Sequence, residues 1–289
     1  MGFLDINRVS DFEFESDNLW CPFPSYAAFG GQLSAQSLAA GLLTLPDEFF
    51  PTLVHTIFVN PGDPSLKIKY QVENLRDGRH LSMREIKGIQ NDKLICLTIM
   101  SASIKDSNPK GFRFYQERLI PDNYIQMNDY IFNTLHSNTK DTQIKNKDLL
   151  KKQFNLLIEN LGLLNNTFNV ELGTTINNRR QVRITILKEV VDKKEFSLLM
   201  TLASDLLLVE SALIALNLNF FSKELYKACS IDHNINFFKR EIPKSKIVYY
   251  IVKCDNVVES KAMIEGKLVD EDGEVLCTTS QQALIRIKE

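Results

Sequence analysis

Hydrophobic and polar positions along the chain fall into two blocks, each with a helical pattern followed by strand-like runs. In the first block, apolar residues from Gln32 to Leu45 recur at helical spacing, and Pro46 stops the helix. The strand-like runs that follow are TLVHTIFV, KIKYQVENL, SMREIKGIQ and KLICLTIMSASI, with turns predicted at Pro61–Asp63, Arg76–Gly78 and Asn91–Asp92. This order predicts one helix followed by an antiparallel meander.

The second block repeats that order. Its helical pattern runs from Leu198 to Leu218, and its strand-like runs are YKACSIDHNINFF, KIVYYIVK, KAMIEGKLVDEDG and EVLCTTSQQALIRI. Asp272–Gly273 predicts a hairpin turn between the last two runs. The intervening joint is polar and rich in Lys and Asn, and its LLKKQFNLLIENLGLL segment predicts a short helix that ends near Gly162. The predicted units are an N-terminal repeat at 1–128, the joint at 129–166 and a C-terminal repeat at 167–289.

The two blocks match each other at a nearly constant offset. Lys67–Val72 matches Lys246–Ile251 at a shift of 179 residues, and His55 matches His233 at 178. Such a steady shift indicates tandem duplication of one unit. Because each helix is apolar nearly all round, we expect a sheet to enclose it, and edge-to-edge joining would protect the strand edges. The predicted fold is α+β, a tandem (double) hotdog with two antiparallel sheets, each wrapped around a long helix.

Composition narrows the class of protein. The 289 residues include 34 Lys and Arg against 36 Asp and Glu, so a basic face for nucleic acid is not expected. We expect no transmembrane segment, because no run of about 18 uninterrupted apolar residues occurs. Five scattered cysteines without a CxxC pair, and only four histidines, indicate reduced thiols in an intracellular protein and no metal site.

Three polar residues stand within apolar elements and are candidates for chemistry: Asp205, Ser230 and Gln281. Each also has a structural interpretation. Asp205 could cap the start of a helix or face solvent, Ser230 could be strand filler, and Gln281 could point outward from the sheet. The chain has no GxSxG, Walker or Rossmann motif, which argues against a serine hydrolase of the α/β type and against nucleotide-driven chemistry.

Comparison of the blocks favours a single asymmetric site in the second one. The first block provides Gln32, Thr52 and Met100 at the positions that match Asp205, Ser230 and Gln281. It therefore lacks the carboxylate and the amide of the second-block set. His233 is a candidate general base, but its match with His55 favours a structural role for both histidines.

These segments resemble the acyl-CoA thioesterase II family of double-hotdog enzymes. The resembling segments are FGGQ with its helix, HTIFVNPGDPSLKIKYQVENLRDGRHLSMREIKGIQNDKLI, LASD, SIDH and the last strand through Gln281. The resemblance implies that Asp205, Ser230 and Gln281 are catalytic. It also implies hydrolysis of a fatty acyl-CoA substrate to free fatty acid and coenzyme A, without a metal or other cofactor.

The implied mechanism is general-base catalysis. Asp205 would activate a water molecule that Ser230 and Gln281 hold in line with the thioester carbonyl. Backbone N–H groups near a helix start could stabilise the oxyanion, and Gly30 and Gly31 would permit a close backbone approach to substrate.

The chain departs from the family pattern after the IDH motif. Asn234–Phe238 replaces an aromatic-rich stretch, with Asn236 at the usual Trp position and Phe238 at the usual His position, and Ala262 stands where Gly is common. We expect these changes to alter the pocket wall and the preferred acyl length. The alternatives are a hotdog enoyl-CoA hydratase that uses His55 and His233, a non-catalytic acyl-CoA binding module, and a divergent, weakly active relative.

Location and assembly follow from the resemblance alone. Family members suggest a peroxisomal location, whereas residues 286–289 do not form an SKL-like signal, so the cytosol is the alternative. We also expect a homo-oligomer that pairs through sheet edges.

Overall fold

A single continuous antiparallel sheet, built from two helix-centred halves, forms the protein. The computed structural model describes residues 4–21, 27–105, 117, 119, 123–140, 161–162, 164–190 and 192–288. The strands are β1 (Ile6–Arg8), β2 (Glu13–Ser16), β3 (Phe50–Phe58), β4 (Lys69–Asp77), β5 (Leu81–Gln90), β6 (Lys93–Ser103), β7 (Ile125–Gln126), β8 (Phe168–Leu172), β9 (Arg179–Ile186), β10 (Leu225–Ser230), β11 (Asp232–Phe237), β12 (Ile247–Val258), β13 (Lys261–Val269) and β14 (Val275–Ile287). The helices are α1 (Gly30–Leu42), α2 (Met127–Lys140), α3 (Lys193–Ser204) and α4 (Leu208–Ala215).

The sheet order shows how the halves join. Across the described residues the order is β1-β2-β4-β5-β6-β3-β11-β14-β13-β12-β9-β8-β7, and β10 also pairs with β14. The run β2-β4-β5-β6-β3 of the first half has its counterpart in β9-β12-β13-β14-β11 of the second. The halves meet where β3 and β11 pair antiparallel, with His55 opposite Asn234. This arrangement confirms the predicted double hotdog.

The region of the predicted joint is only partly described. β7 pairs with β8 at the edge of the second-half sheet, and α2 follows it directly. The short helix predicted at 149–164 lies outside the described residues except for 161, 162 and 164. The unit boundaries at 128 and 167 therefore stay predictions.

Helix α1 is the core helix of the first half. Every residue from Gly31 to Leu42 is buried, because the sheet encloses a helix made mainly of Ala, Leu, Ser and Gln. The prediction of a helix at Gln32–Leu45 is thus correct, although its bounds differ. It begins two residues earlier, and its last three residues form a turn in which the Thr44 hydroxyl donates to Gly41 O at 2.8 Å.

The second-half helix, predicted as one element from Leu198 to Leu218, is two helices. Asp192 caps the start of α3, where its side chain accepts a hydrogen bond from Lys194 N at 3.0 Å. The helix ends at Ser204, and the chain resumes as α4 after Leu207, which adopts left-handed backbone dihedrals (φ 65°). A single helix was the wrong prediction, because the leucine-rich composition carries no signal for this break. The break leaves Asp205 at the C-terminal end of α3.

The apolar stretch Lys193–Ala215 belongs to the core. Among the described helices it alone is long and apolar enough to cross a membrane, and 72% of its most apolar window is buried inside the fold. Helix α3 packs antiparallel to α1. Lys194 at its start lies 3.2 Å from Asp47, beyond the end of α1, while Leu202 near its end faces Gly31.

A β-bulge sets which residues of the two halves correspond. The predicted strand YKACSIDHNINFF is split at Ile231 into β10 and β11. Ser230 lies opposite Ala283 before the bulge, as Pro51 lies opposite Ala102 in the first half. Ser230 therefore corresponds to Pro51 and not, as the sequence comparison suggested, to Thr52. The first half has the equivalent bulge between Pro51 and Leu53, so the two strands correspond at one constant offset, and the sequence comparison was wrong by one residue. A one-residue slip exchanges the two faces of a strand.

The match between His55 and His233 is wrong for the same reason. His233 is fully buried on the inner face of β11, whereas the partly exposed His55 lies on the outer face, 3.1 Å from Asp232. The buried residue of β3 at the corresponding position is Val54. A duplicated structural histidine is therefore no reason to set His233 aside.

Candidate active site

The candidate site lies where the break after α3 meets the start of α1. The Asp205 carboxylate accepts hydrogen bonds from the Gly31 backbone N–H and from the Gln281 amide. A Cβ atom at Gly30 would lie 2.9 Å from Asp205 Oδ2, and one at Gly31 would lie 3.0 Å from Asp205 Cβ. Two consecutive glycines are thus needed for the start of α1 to approach the carboxylate.

Asp205 caps α1 across the interface between the two central helices. Phe29, the N-cap residue of α1, makes no side-chain cap hydrogen bond. A capping side chain normally accepts from the N–H of the second or third helical residue, and Gly31 is the second residue of α1. The positive end of the α1 dipole also favours an anion at this point. The predicted alternative was a residue at a helix start that caps it or faces solvent. Asp205 does cap a helix start, that of α1, but it is buried and lies at the C-terminal end of α3.

Burial makes Asp205 a weak acid. Loss of hydration raises the pKa of Asp205 from its ordinary value of 3.8 to about 7, although the Gly31 N–H and the Gln281 amide act to lower it. A carboxyl group with a pKa near neutral pH is suited to general-base chemistry, because it is partly ionised and binds a proton strongly. The carboxylate is therefore tuned by its surroundings for accepting a proton.

Gln281 joins the other two predicted residues. It points inward from β14 and is buried, whereas its neighbour Gln282 is exposed, so the outward-pointing alternative for Gln281 is wrong. Its amide nitrogen donates a hydrogen bond to the Ser230 hydroxyl as well as to Asp205. The structure thus brings Asp205, Ser230 and Gln281 together around one side-chain amide.

Four further residues belong to the candidate site: three were not predicted as part of it, and His233 was considered as a base and set aside. His233 Nε2 lies 2.8 Å from the Ser204 hydroxyl, and the Tyr250 hydroxyl donates to Ser204 O at 2.6 Å. From the first half, the Phe58 ring lies 2.9 Å from the position of a Gly30 Cβ atom. Tyr250 is a polar residue on an apolar strand, a signal that could have found it. The contacts of Phe58 and Ser204 join distant parts of the chain, so no local sequence pattern indicates them.

The matching positions of the first half have structural roles. The buried Gln32 side chain accepts from Trp20 N at 2.6 Å and donates to Asn18 O at 2.8 Å. Met100 packs against Gly41 of α1. This asymmetry supports one site, provided mainly by the second half.

The departures from the family pattern after IDH lie away from this site. Inner-face positions on β11 are His233, Ile235 and Phe237, all buried. Asn236 and Phe238 alternate with them on the outer face, and Phe238 is 66% exposed. Both side chains therefore lie on the opposite face of the sheet from Gln281, and the expected change in acyl-length preference stays a prediction.

The site contains no evident metal-binding set. Within the described ranges, no three His, Cys, Asp or Glu side chains cluster in a way that could hold a metal ion.

Comparisons with known proteins agree with the fold and cover both halves. The family model described as the N-terminal domain of acyl-CoA thioesterase matches residues 19–104, and the acyl-CoA thioesterase model matches residues 152–284. Acyl-CoA thioesterase 2 of Haemophilus influenzae is 26% identical over 99% of this chain and 96% of its own length. The chain belongs to the acyl-CoA thioesterase II family.

Other proteins similar to this acyl-CoA thioesterase II family member match over a short stretch or in fold. Peroxisomal acyl-coenzyme A thioester hydrolase 1 of Saccharomyces cerevisiae is 43% identical over 86 residues, which are 30% of this chain and 25% of the yeast protein. Among solved structures, the acyl-CoA thioesterase II TesB2 of Mycobacterium marinum is similar with a TM-score of 0.74 at 16% identity, covering 99% of this chain and 96% of that one. At that identity, the structural likeness bears on the fold alone.

Proposed function

We propose that the protein hydrolyses fatty acyl-CoA thioesters to free fatty acid and coenzyme A. The observation that carries the proposal is the Asp205 carboxylate, whose pKa lies near neutrality and which shares the Gln281 amide with the Ser230 hydroxyl. Family membership supplies the substrate class, since the bacterial and yeast relatives are named as an acyl-CoA thioesterase and an acyl-coenzyme A thioester hydrolase.

The proposed reaction needs no protein nucleophile. Asp205 takes a proton from a water molecule as the water oxygen attacks the thioester carbonyl, and Ser230 and Gln281 position that water. The carbon–sulfur bond then breaks, and Asp205 returns the proton to the departing coenzyme A thiolate. The start of α1 at Gly30 and Gly31 would lie beside the substrate carbonyl, where the helix dipole favours the negative charge that develops on oxygen.

The test is turnover with short-, medium- and long-chain acyl-CoAs, followed by the release of free thiol. We expect hydrolysis by the wild-type protein and a loss of at least 100-fold in kcat for Asp205→Asn and Gln281→Ala, in the range that general-base catalysis contributes. Gln282→Ala is the matched control, because Gln282 is the exposed neighbour on β14. Wild-type turnover in either site variant would reject the assignment.

The same preparation tests the alternatives. Hydration of crotonyl-CoA without thiol release would indicate a hydratase, and tight acyl-CoA binding without turnover would indicate a binding module. The hydratase is not favoured, because His55 lies on the outer face of the sheet beside Asp232.

Location and assembly complete the proposal. An intracellular location fits the family, and the name of the yeast relative makes the peroxisome the first compartment to test. Imaging of the tagged protein beside a peroxisomal marker would decide between that compartment and the cytosol. Light scattering in solution would test the expected homo-oligomer.

A further inference from the structure

Two neighbouring side chains beside the site each have a buried polar atom without a partner. Four such atoms occur among the described residues, and two of them are His233 Nδ1 and Gln281 Oε1. His233 and Gln281 both face inward from the adjacent strands β11 and β14, one step along from the Asn234–Ser280 pair. The other imidazole nitrogen, Nε2, lies 2.8 Å from the Ser204 hydroxyl.

We propose that His233 is a positioning residue, whose Nδ1–H holds Gln281 Oε1 so that the amide nitrogen faces Asp205 and Ser230. This inference rests on the proposed function of the site, because it assigns the group that orients one of the proposed catalytic side chains.

The two ends of the Gln281 amide explain why orientation matters. With Oε1 toward His233, the –NH₂ group can donate to both the Asp205 carboxylate and the Ser230 hydroxyl. With the amide reversed, its oxygen would face the Asp205 carboxylate, and two acceptors would repel each other. An N–H donor at His233 Nδ1 favours the first orientation and disfavours the second.

One imidazole tautomer gives partners to both nitrogens of His233 and to Gln281 Oε1. If Nδ1 carries the proton, Nε2 is an acceptor and receives a hydrogen bond from the Ser204 hydroxyl. That hydroxyl also lies 2.8 Å from Thr201 O, and its single proton can serve only one of these two acceptors, so the proposal requires that it turns to His233. The chain of donors then runs from Ser204 through His233 and Gln281 to Asp205, and Ser204 directly precedes Asp205 in sequence. The other tautomer would direct the Nδ1 lone pair at Gln281 Oε1, leaving both atoms unsatisfied.

His233 is suited to this role because it stays neutral. Burial lowers the pKa of His233 to about 4, although Asp232 and the Gln281 amide act to raise it. A neutral imidazole carries one donor and one acceptor, which is what Ser204 and Gln281 require.

The tautomer can be measured without any activity assay. In ¹⁵N-histidine-labelled protein, long-range ¹H–¹⁵N spectra distinguish a protonated Nδ1 from a protonated Nε2. Only four histidines are present, and the loss of one set of signals in His233→Asn identifies those of His233. We expect the Nδ1–H form from pH 6 to 8, and an Nε2–H form would overturn the proposal even if the protein were not a thioesterase.

Kinetics test whether His233 acts through Gln281. His233→Phe is expected to lower kcat roughly 10- to 100-fold with little change in KM, as for a misplaced catalytic group. His233→Asn places an amide N–H near the position of Nδ1 and should keep part of the kcat that His233→Phe loses. His233→Gln places its amide N–H near the position of Nε2 and should not. His55→Asn, on the outer face, is the control that keeps wild-type turnover.

The double variant separates positioning from general support of the fold. In a Gln281→Ala background, which retains residual turnover, His233→Phe should cause little further loss of kcat, because the amide that it orients is gone. If the two single-variant losses of kcat multiply in the double variant, the positioning role is overturned and the proposed function stands. The same holds if folded His233→Phe keeps a wild-type kcat while Asp205→Asn is inactive. Absence of hydrolysis in the wild-type protein would instead refute the proposed function.

Discussion

Replacement of Asp205 by Asn is expected to stop hydrolysis and, above neutral pH, to stabilise the fold. Burial raises the pKa of Asp205 from 3.8 to about 7, and each tenfold change in proton affinity corresponds to about 1.4 kcal/mol. Holding the ionised carboxylate in the folded protein therefore costs about 4 kcal/mol relative to the unfolded chain. The Asn side chain can still accept the Gly31 N–H hydrogen bond that caps α1, and it carries no charge.

The sign and the pH window follow from the same pKa values. The folded protein binds the Asp205 proton more tightly than the unfolded chain does, so this group's contribution is most favourable below about pH 4. It is lost as the pH rises to about 7 and is constant above that. At pH 4 the wild-type and Asp205→Asn proteins should melt at similar temperatures. At pH 8 the variant should melt higher, by on the order of 8 °C for about 4 kcal/mol in a chain of this size.

The assay is thermal unfolding of both proteins across that pH range, with turnover measured on the same samples. Asp255→Asn is the control, since Asp255 is exposed and pairs only with Lys253 at the surface among the described residues. Its difference from wild type should be small at every pH. A gap for Asp205→Asn that is equal at pH 4 and pH 8, or a variant less stable at pH 8, would refute a buried, proton-binding carboxylate.

Three further predictions follow. The kcat/KM of the wild-type protein should rise with pH through about 7 and level off, because ionised Asp205 is the base; a flat profile from pH 5 to 8 would contradict this. Gly31→Ala should lower both turnover and melting temperature, because its Cβ would lie 2.9 Å from Leu202 O, whereas Gly162→Ala, with nothing within 4 Å, should change neither. Glu210→Gln should destabilise the protein by about 3 kcal/mol in urea unfolding, because it leaves the buried Arg180 without its 3.0 Å ion pair; an unchanged midpoint would argue against that pairing.

The strands and short turns of the fold are readable from the sequence. Asn91 and Asp92 were predicted as a turn, and they form a two-residue hairpin with φ values of 47° and 60° between β5 and β6. The predicted Asp272–Gly273 turn is correct, although the loop is longer, with Val269 paired to Val275. These features are local, so the residues that form them lie next to each other in the chain.

The rest depends on contacts between distant segments. The left-handed Leu207 stands in a leucine-rich run that favours unbroken helix, so only packing against the sheets and α1 selects the break. The bulge at Ile231 likewise leaves no compositional sign. The sequence comparison matched this strand through its two histidines, and so mispaired Ser230 with Thr52 and His233 with His55, each by one residue.

The candidate site was accessible to sequence reasoning because of its asymmetry. Asp205 and Gln281 have no chemical equivalent in the first half, and the family resemblance points to the same residues. The cap that Asp205 provides to α1 was not accessible, because it joins residues 174 positions apart. The orientation of His233 was not accessible either, since it depends on the strand register.

The Asp205 cap on α1 joins the two halves of the chain, so the candidate site is complete only when both halves are folded together. Neither half alone holds both the anion and the helix terminus that tolerates it, so an isolated C-terminal half would have no reason to keep an acid in its apolar centre. Duplication of a single ancestral unit would thus have gained more than a second copy of a scaffold. It provided a second helix, whose N-terminal end stabilises a buried carboxylate that would otherwise be costly to keep ionised.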